Sequence, residues 1–158
     1  MTQAAPRKIL LIGYGNPARE DDGLGPAAAS RIEKLEISGI TVEADYQLTV
    51  EDAAAVARHD AVIFIDASTD GKEPFSFRRL PPRRQESFSS HSVAPESVLA
   101  MAKDFFNVET QGYMLGIRGY SFSMFKEEMT EKALENLARA IDFLVSFLHS
   151  KSFHEAAE

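Results

Sequence analysis

Two periods of apolar residues alternate along the chain. Residues 8–13 (KILLIG) carry a continuous apolar run after Lys8 that ends in glycine, the pattern of a strand covered on both faces. Residues 23–35 take helical spacing, with Asp22 placed as an N-cap and Pro26 tolerated in the first turn. Residues 39–45 (GITVEAD) alternate and are β-branched, which predicts a strand. Residues 49–58 are alanine-rich with Thr49 and Asp52 at capping-box spacing, which predicts a helix. Residues 61–66 (AVIFID) form a second fully apolar strand ending in an acid. Residues 75–80 alternate and stop at Pro81-Pro82, as an edge strand would.

Further on, residues 95–106 predict a helix capped near Ser92 or Ala94, and residues 113–118 another strand. A last helix spans residues 130–149, with Leu134, Leu137, Ile141, Leu144 and Leu148 as its apolar stripe. This order of strands and helices predicts a three-layer α/β/α sandwich with a mostly parallel central sheet. One domain is expected over residues 7–149, with residues 150–158 as a C-terminal tail.

Composition narrows the chemistry. The chain has 158 residues, 44% hydrophobic and 26% charged, as in ordinary globular domains. No cysteine is present, which excludes disulfides, thiolate metal sites and a cysteine nucleophile. The formal charge of −7 disfavours nucleic acid and anionic membranes as partners. No apolar run is long enough for a membrane span or a secretory signal, so a cytoplasmic location is expected. Against this acidic background RRLPPRR (residues 78–84) gathers four arginines. Such runs are usually just solvated, but this one lies close before His91 and could guide an acidic partner.

The candidate chemistry begins at residues 10–26, LLIGYGNPAREDDGLGP. Gly13, Gly15 and Gly25 suggest a dinucleotide fingerprint, but the spacing fails, and Glu20, Asp21 and Asp22 would repel a phosphate. Acids at such a turn suit a metal or a proton-transfer role. In a parallel sheet the loop carrying Asp22 and the strand end carrying Asp66 reach the same edge, where ligands bind. His91, in the loop SFSSHSVAP before the helix at 95, is the third candidate. Two carboxylates and an imidazole suit a borderline divalent metal such as nickel, zinc or iron. The plain alternatives are that Asp22 only caps a helix and that His91 is a solvated loop residue. Glu20 and Asp21 are expected to be solvated or to stabilise the loop, while His59, His149 and His154 sit on a helix end or tail.

The run Gly13, Gly15, Asn16, Pro17, then Asp21, Asp22, Gly23, Gly25, Pro26, resembles the hydrogenase maturation endopeptidases of the nickel–iron hydrogenase system. Ile65-Asp66-Ala67, Ser89-Ser90-His91 and Ile117 to Tyr120 are similar to further family positions. The resemblance spans roughly residues 7–148. It implies a phosphorylase/hydrolase-like fold and one cut that removes a C-terminal extension from a nickel-loaded hydrogenase large-subunit precursor. By the same resemblance the enzyme is aspartic-type by family convention, and Asp22, Asp66 and His91 are its catalytic and metal-contacting residues. Nickel then comes with the substrate, and a resident zinc is the variant reading. A monomer is expected. Two other readings use the same residues. A noncatalytic metal-dependent chaperone would bind without cutting. A phosphoacceptor receiver domain would use Asp66 as acceptor, but it needs a lysine where Arg118 stands.

Overall fold

A computed structural model describes residues 8–85 and 93–150. The sheet has five strands in the order β2-β1-β3-β5-β4, where β1 is Ile9–Tyr14, β2 Ile40–Asp45, β3 Ala61–Ser68, β4 Phe75–Leu80 and β5 Gln111–Arg118. The first, second, third and fifth strands are parallel, and β4 runs antiparallel to β5 at one edge. Among the described residues four α-helices cover the sheet: α1 (Leu24–Lys34), α2 (Asp52–Ala57), α3 (Pro95–Phe106) and α4 (Glu131–Ser150).

Strand alternation divides the core into two layers. Ile9 and Leu11 of β1 pack with Ile63 and Ile65 of β3 beneath α1 and α4. Leu10 and Ile12, with Val62 and Phe64, pack beneath α2 and α3. Successive strand residues point to opposite faces, so an apolar run of this kind serves both layers at once. The result is the α/β/α sandwich expected from the sequence.

The chain leaves β1 for β2 through α1 on one face, then returns through α2 on the other face to β3. Strand order therefore reverses between β1 and β3, the position where open α/β sheets form a binding crevice. Two glycines set the depth of that crevice. A Cβ on Gly25 would lie 2.3 Å from the Tyr14 carbonyl oxygen and 2.6 Å from that of Ile65. One on Gly13 would lie 2.1 Å from the Gly25 carbonyl oxygen. Only glycine lets the first turn of α1 rest on the ends of both strands.

Three details depart from the sequence reading. The helix expected over 23–35 begins instead with a 3-10 turn, Glu20–Gly23, and α1 proper follows. Gly23 occupies the cap position, with no side-chain cap bond. Asp22 is not the N-cap because its carboxylate accepts the Asn16 amide, at 2.9 Å, within the preceding loop. On α4 the buried stripe is Ala133, Leu137, Ala140, Leu144, Phe147 and Leu148, while Leu134 is 42% exposed. Small alanines at 133 and 140 bring the helix close to its neighbours, and the stripe is rotated accordingly. Finally, β3 continues two residues beyond Asp66, to Ser68.

The close approach at Gly25 has a direct test. Gly25→Ala should destabilise the fold by about 2 kcal/mol or more, since its Cβ meets two strand carbonyls that cannot rotate away. Urea denaturation followed by circular dichroism measures the loss.

Candidate active site

The crevice is built from the loop after β1. Gly15 takes a left-handed φ of +145°, and a Cβ there would lie 2.1 Å from the Asp22 carbonyl oxygen. The chain then closes on itself: the Asn16 side chain accepts the Ala18 amide at 2.9 Å, and the Arg19 amide donates to the Asn16 carbonyl at 3.0 Å. This turn sets Asp22 at the mouth of the crevice, its side chain 24% exposed. Arg19 approaches its carboxylate only to 4.0 Å and is itself 40% exposed, so the pair contributes little.

Asp66 follows the last buried residue of β3. Parity along the strand, Val62-Phe64-Asp66, turns it to the α2/α3 face. Burial is the main reason its carboxyl is pushed up to about 7. The Ala67 amide, donating to Oδ1 at 2.8 Å, opposes that rise, and the nearby Asp22 charge adds to it. An acid from the turn after β1 and one from the end of β3 thus come together at one edge, and the second is near its midpoint at neutral pH. A group so poised can hold or accept a proton, and the pair can face a cation.

The three consecutive acids have three different environments. Asp21 is fully buried. Its Oδ2 accepts from the amides of Tyr120 and Ser121 and from the Thr130 hydroxyl, at 2.7, 3.1 and 2.8 Å. Its Oδ1 accepts the Thr130 amide at 2.8 Å. Glu20 takes the Ser121 hydroxyl at 2.7 Å, which holds its carboxyl below the usual range. These two acids tie the β1 loop to the segment between β5 and α4, which leaves Asp22 alone to face the crevice. They stabilise the loop, one of the two roles expected for them; full burial of Asp21 excludes the solvated one.

His91, with Ser89 and Ser90, lies outside the described residues, so the geometry speaks for Asp22 and Asp66 alone. Among the described residues no group of three or more histidine or acid side chains forms a metal cluster. His59 and His149 each contact a helix carbonyl four residues back, Ala55 at 2.7 Å and Val145 at 2.8 Å. Arg118, at the position a receiver domain would give to lysine, donates to the Gly71 carbonyl at 2.8 Å and lies over the Tyr120 ring.

Sequence reasoning missed Tyr14. It shares the α2/α3 face of β1 with Leu10 and Ile12, and its hydroxyl reaches the Met114 sulfur at 3.9 Å. Burial first, then the charges of Asp66 and Glu96, push its ionisation far up, so the phenol stays protonated. The parity of β1 and β3, compared residue by residue, places Tyr14 and Asp66 on one face.

Two outcomes follow. Asp21→Ala leaves three amides and a hydroxyl without their acceptor and should cost about 3 kcal/mol or more, read as a lower urea midpoint. Asp66 titrates near ~3.9 when unfolded, so the folded chain holds an extra proton from about pH 4 to pH 7 and loses stability as pH rises. Asp66→Asn removes that loss. It should be more stable than wild type at about pH 8, by on the order of 1 kcal/mol, with the gain gone near about pH 3.5.

Comparison with known proteins adds to this geometry. No family model matches the chain. A protein of Methanocaldococcus jannaschii, assigned by inference as a hydrogenase maturation protease, is 26% identical over 153 residues, covering 88% of this chain and 95% of the relative. The crystal structure of the [NiFe] hydrogenase maturation protease HycI from Thermococcus kodakarensis KOD1 superposes with a TM-score of 0.71 at 22% identity, covering 91% of this chain and 94% of the other. The hydrogenase maturating endopeptidase HybD from E. coli gives 0.66 at 17% identity, covering 90% and 93%. Sequence and fold therefore agree on one likeness, to the hydrogenase maturation proteases.

Proposed function

We propose that this chain is an endopeptidase that removes a C-terminal extension from the nickel-loaded precursor of a [NiFe]-hydrogenase large subunit. The observation that carries the reading is the meeting of Asp22 and Asp66 at the switch between β1 and β3. The likeness to maturation proteases supplies the substrate class. In this reading Asp22, Asp66 and His91 contact the nickel ion, which belongs to the substrate and marks the precursor as loaded. The two carboxylates supply negative oxygen donors and the histidine a nitrogen donor, a mixed set that suits nickel.

Hydrolysis needs a proton removed from water and one delivered to the leaving amine. One of the two carboxylates, through the oxygen that does not face the ion, can take the first proton and return it to the leaving amine. With no cysteine in the chain, a thiolate nucleophile is excluded. The enzyme works on its precursor as a cytoplasmic monomer. No helix among the described residues is long and apolar enough to cross a membrane.

Intact mass spectrometry of the precursor from the same organism, incubated with the protein, tests the reading. Nickel-loaded precursor should lose one discrete C-terminal fragment, and nickel-free precursor should stay whole. Asp22→Asn, Asp66→Asn and His91→Ala should each slow the cut by about 100-fold or more. Stable binding without any cut would point instead to a metal-dependent chaperone.

A further inference from the structure

Among the described residues, β4 lies at the edge of the sheet and has a strand partner on one side only. Its register with β5 pairs Phe75 with Ile117, Phe77 with Leu115 and Arg79 with Tyr113. The Arg118 amide donates to the Pro74 carbonyl at 3.2 Å, which makes that pair a hydrogen-bonded one. Hydrogen-bonded and non-bonded pairs alternate in an antiparallel ladder. The inward bonds therefore fall on Ser76, Arg78 and Leu80. The amides and carbonyls of Phe75, Phe77 and Arg79 point outward, away from the sheet.

This edge is firmly backed. Phe75 and Phe77 pack on Phe143 of α4 with ring centroids 5.1 and 4.8 Å apart, and Phe77 stacks on Tyr113 at 5.4 Å. Leu80 is buried on the opposite face, under α3. The edge also carries charge against the sign of the chain as a whole. Arg78, Arg79, Arg83 and Arg84 are all exposed in a protein of formal charge −7. Arg84 is bound to Asp104 at 2.9 Å. The other three make no ion pair among the described residues. Arg78 and Arg79, adjacent in the strand, project to opposite faces, with Arg79 over the Tyr113 ring.

We propose that the outer edge of β4 docks an extended acidic segment of the protein substrate by strand addition. The outward amides and carbonyls would give the pairing, and arginines on both faces would select acidic side chains from both faces of the added strand. Position links this edge to the site. Phe75 pairs with Ile117, and Ile117 with Ala67, the neighbour of Asp66. A strand added to β4 lies three strand spacings from β3, about 14 Å. Four or five extended residues cover that span, so one substrate chain could occupy both the edge and the crevice. The proposal rests on the endopeptidase reading for the identity of the substrate.

Charged edges also serve to block aggregation between sheets. Arg78→Glu with Arg83→Glu separates the two roles, because it leaves four charged side chains along the edge while cancelling their net positive charge. Fluorescein-labelled ten-residue peptides tiling the hydrogenase large-subunit precursor are the probes, read by fluorescence anisotropy at low and high salt. One or more acidic peptides should bind wild type, weaken with salt, and bind the double variant at least about tenfold less tightly. Hydrogen exchange should show new protection at the amides of Phe75, Phe77 and Arg79. In precursor cleavage the double variant should raise KM with kcat unchanged. Failure of wild type to bind any acidic peptide, equal binding by the variant, or charge-dependent binding without protection of those three amides would each overturn the proposal. Absence of cleavage by wild type would sink the endopeptidase reading, while the peptide and exchange results would still decide docking.

Discussion

The structure depends on one close approach, the seating of the first turn of α1 on the ends of β1 and β3. Gly25 lies against the carbonyls of both strands, and Gly13 lies against Gly25. That contact leaves no room for a side chain, so the loop between β1 and α1 must fold upward and double back. The doubling produces the left-handed turn at Gly15 and the 3-10 turn at residues 20–23. Asp22 reaches the neighbourhood of Asp66 as a geometric result of that seating. Interior packing tolerates small changes of volume poorly, so backbone contacts of this kind transmit directly into the position of the acids.

The three acids in a row show how environment assigns roles that residue type does not. Asp21 is deepest, yet four donors surround its carboxylate. Its burial is therefore compatible with charge. Asp66 is less buried but has one amide, and its proton is held to about neutral pH. Asp22 keeps a single loop bond and part of its surface open. An acid that is fully satisfied serves the fold. Acids left short of donors retain the capacity to bind or exchange something else.

Much of this was legible in the sequence, and the exceptions have physical causes. Strands buried on both faces announce themselves, so β1 and β3 came within one or two residues of their observed ends. The α3 bounds, residues 95–106, matched because Pro95 marks the first turn and Asn107 takes the left-handed conformation that ends it. The stripe of α4 was misread at Leu134 because hydrophobicity alone does not show that alanine will be preferred where two elements come close. Asp22 and Asp66 could be placed at one edge from the sequence because topology sends adjacent parallel strands there. The role of Asp21 was hidden, since its partners Tyr120, Ser121 and Thr130 lie about a hundred residues away. Tyr14 was hidden for a related reason: its significance lies in a face shared across strands.

The distance in sequence between Asp21 and its partners also orders the assembly of the site in time. As the chain is synthesised, β1 and its acid loop emerge well before Thr130 and the segment that holds them. Until that late segment arrives, the carboxylate of Asp21 has none of its four donors, and the loop carrying Asp22 is braced only by its own bonds around Asn16. Contacts this remote are closed late in folding because their loop entropy must first be overcome. A half-made chain therefore holds Asp22 and Asp66 without the geometry that unites them. The arrangement that brings Asp22 to Asp66 is complete only when the molecule is nearly whole.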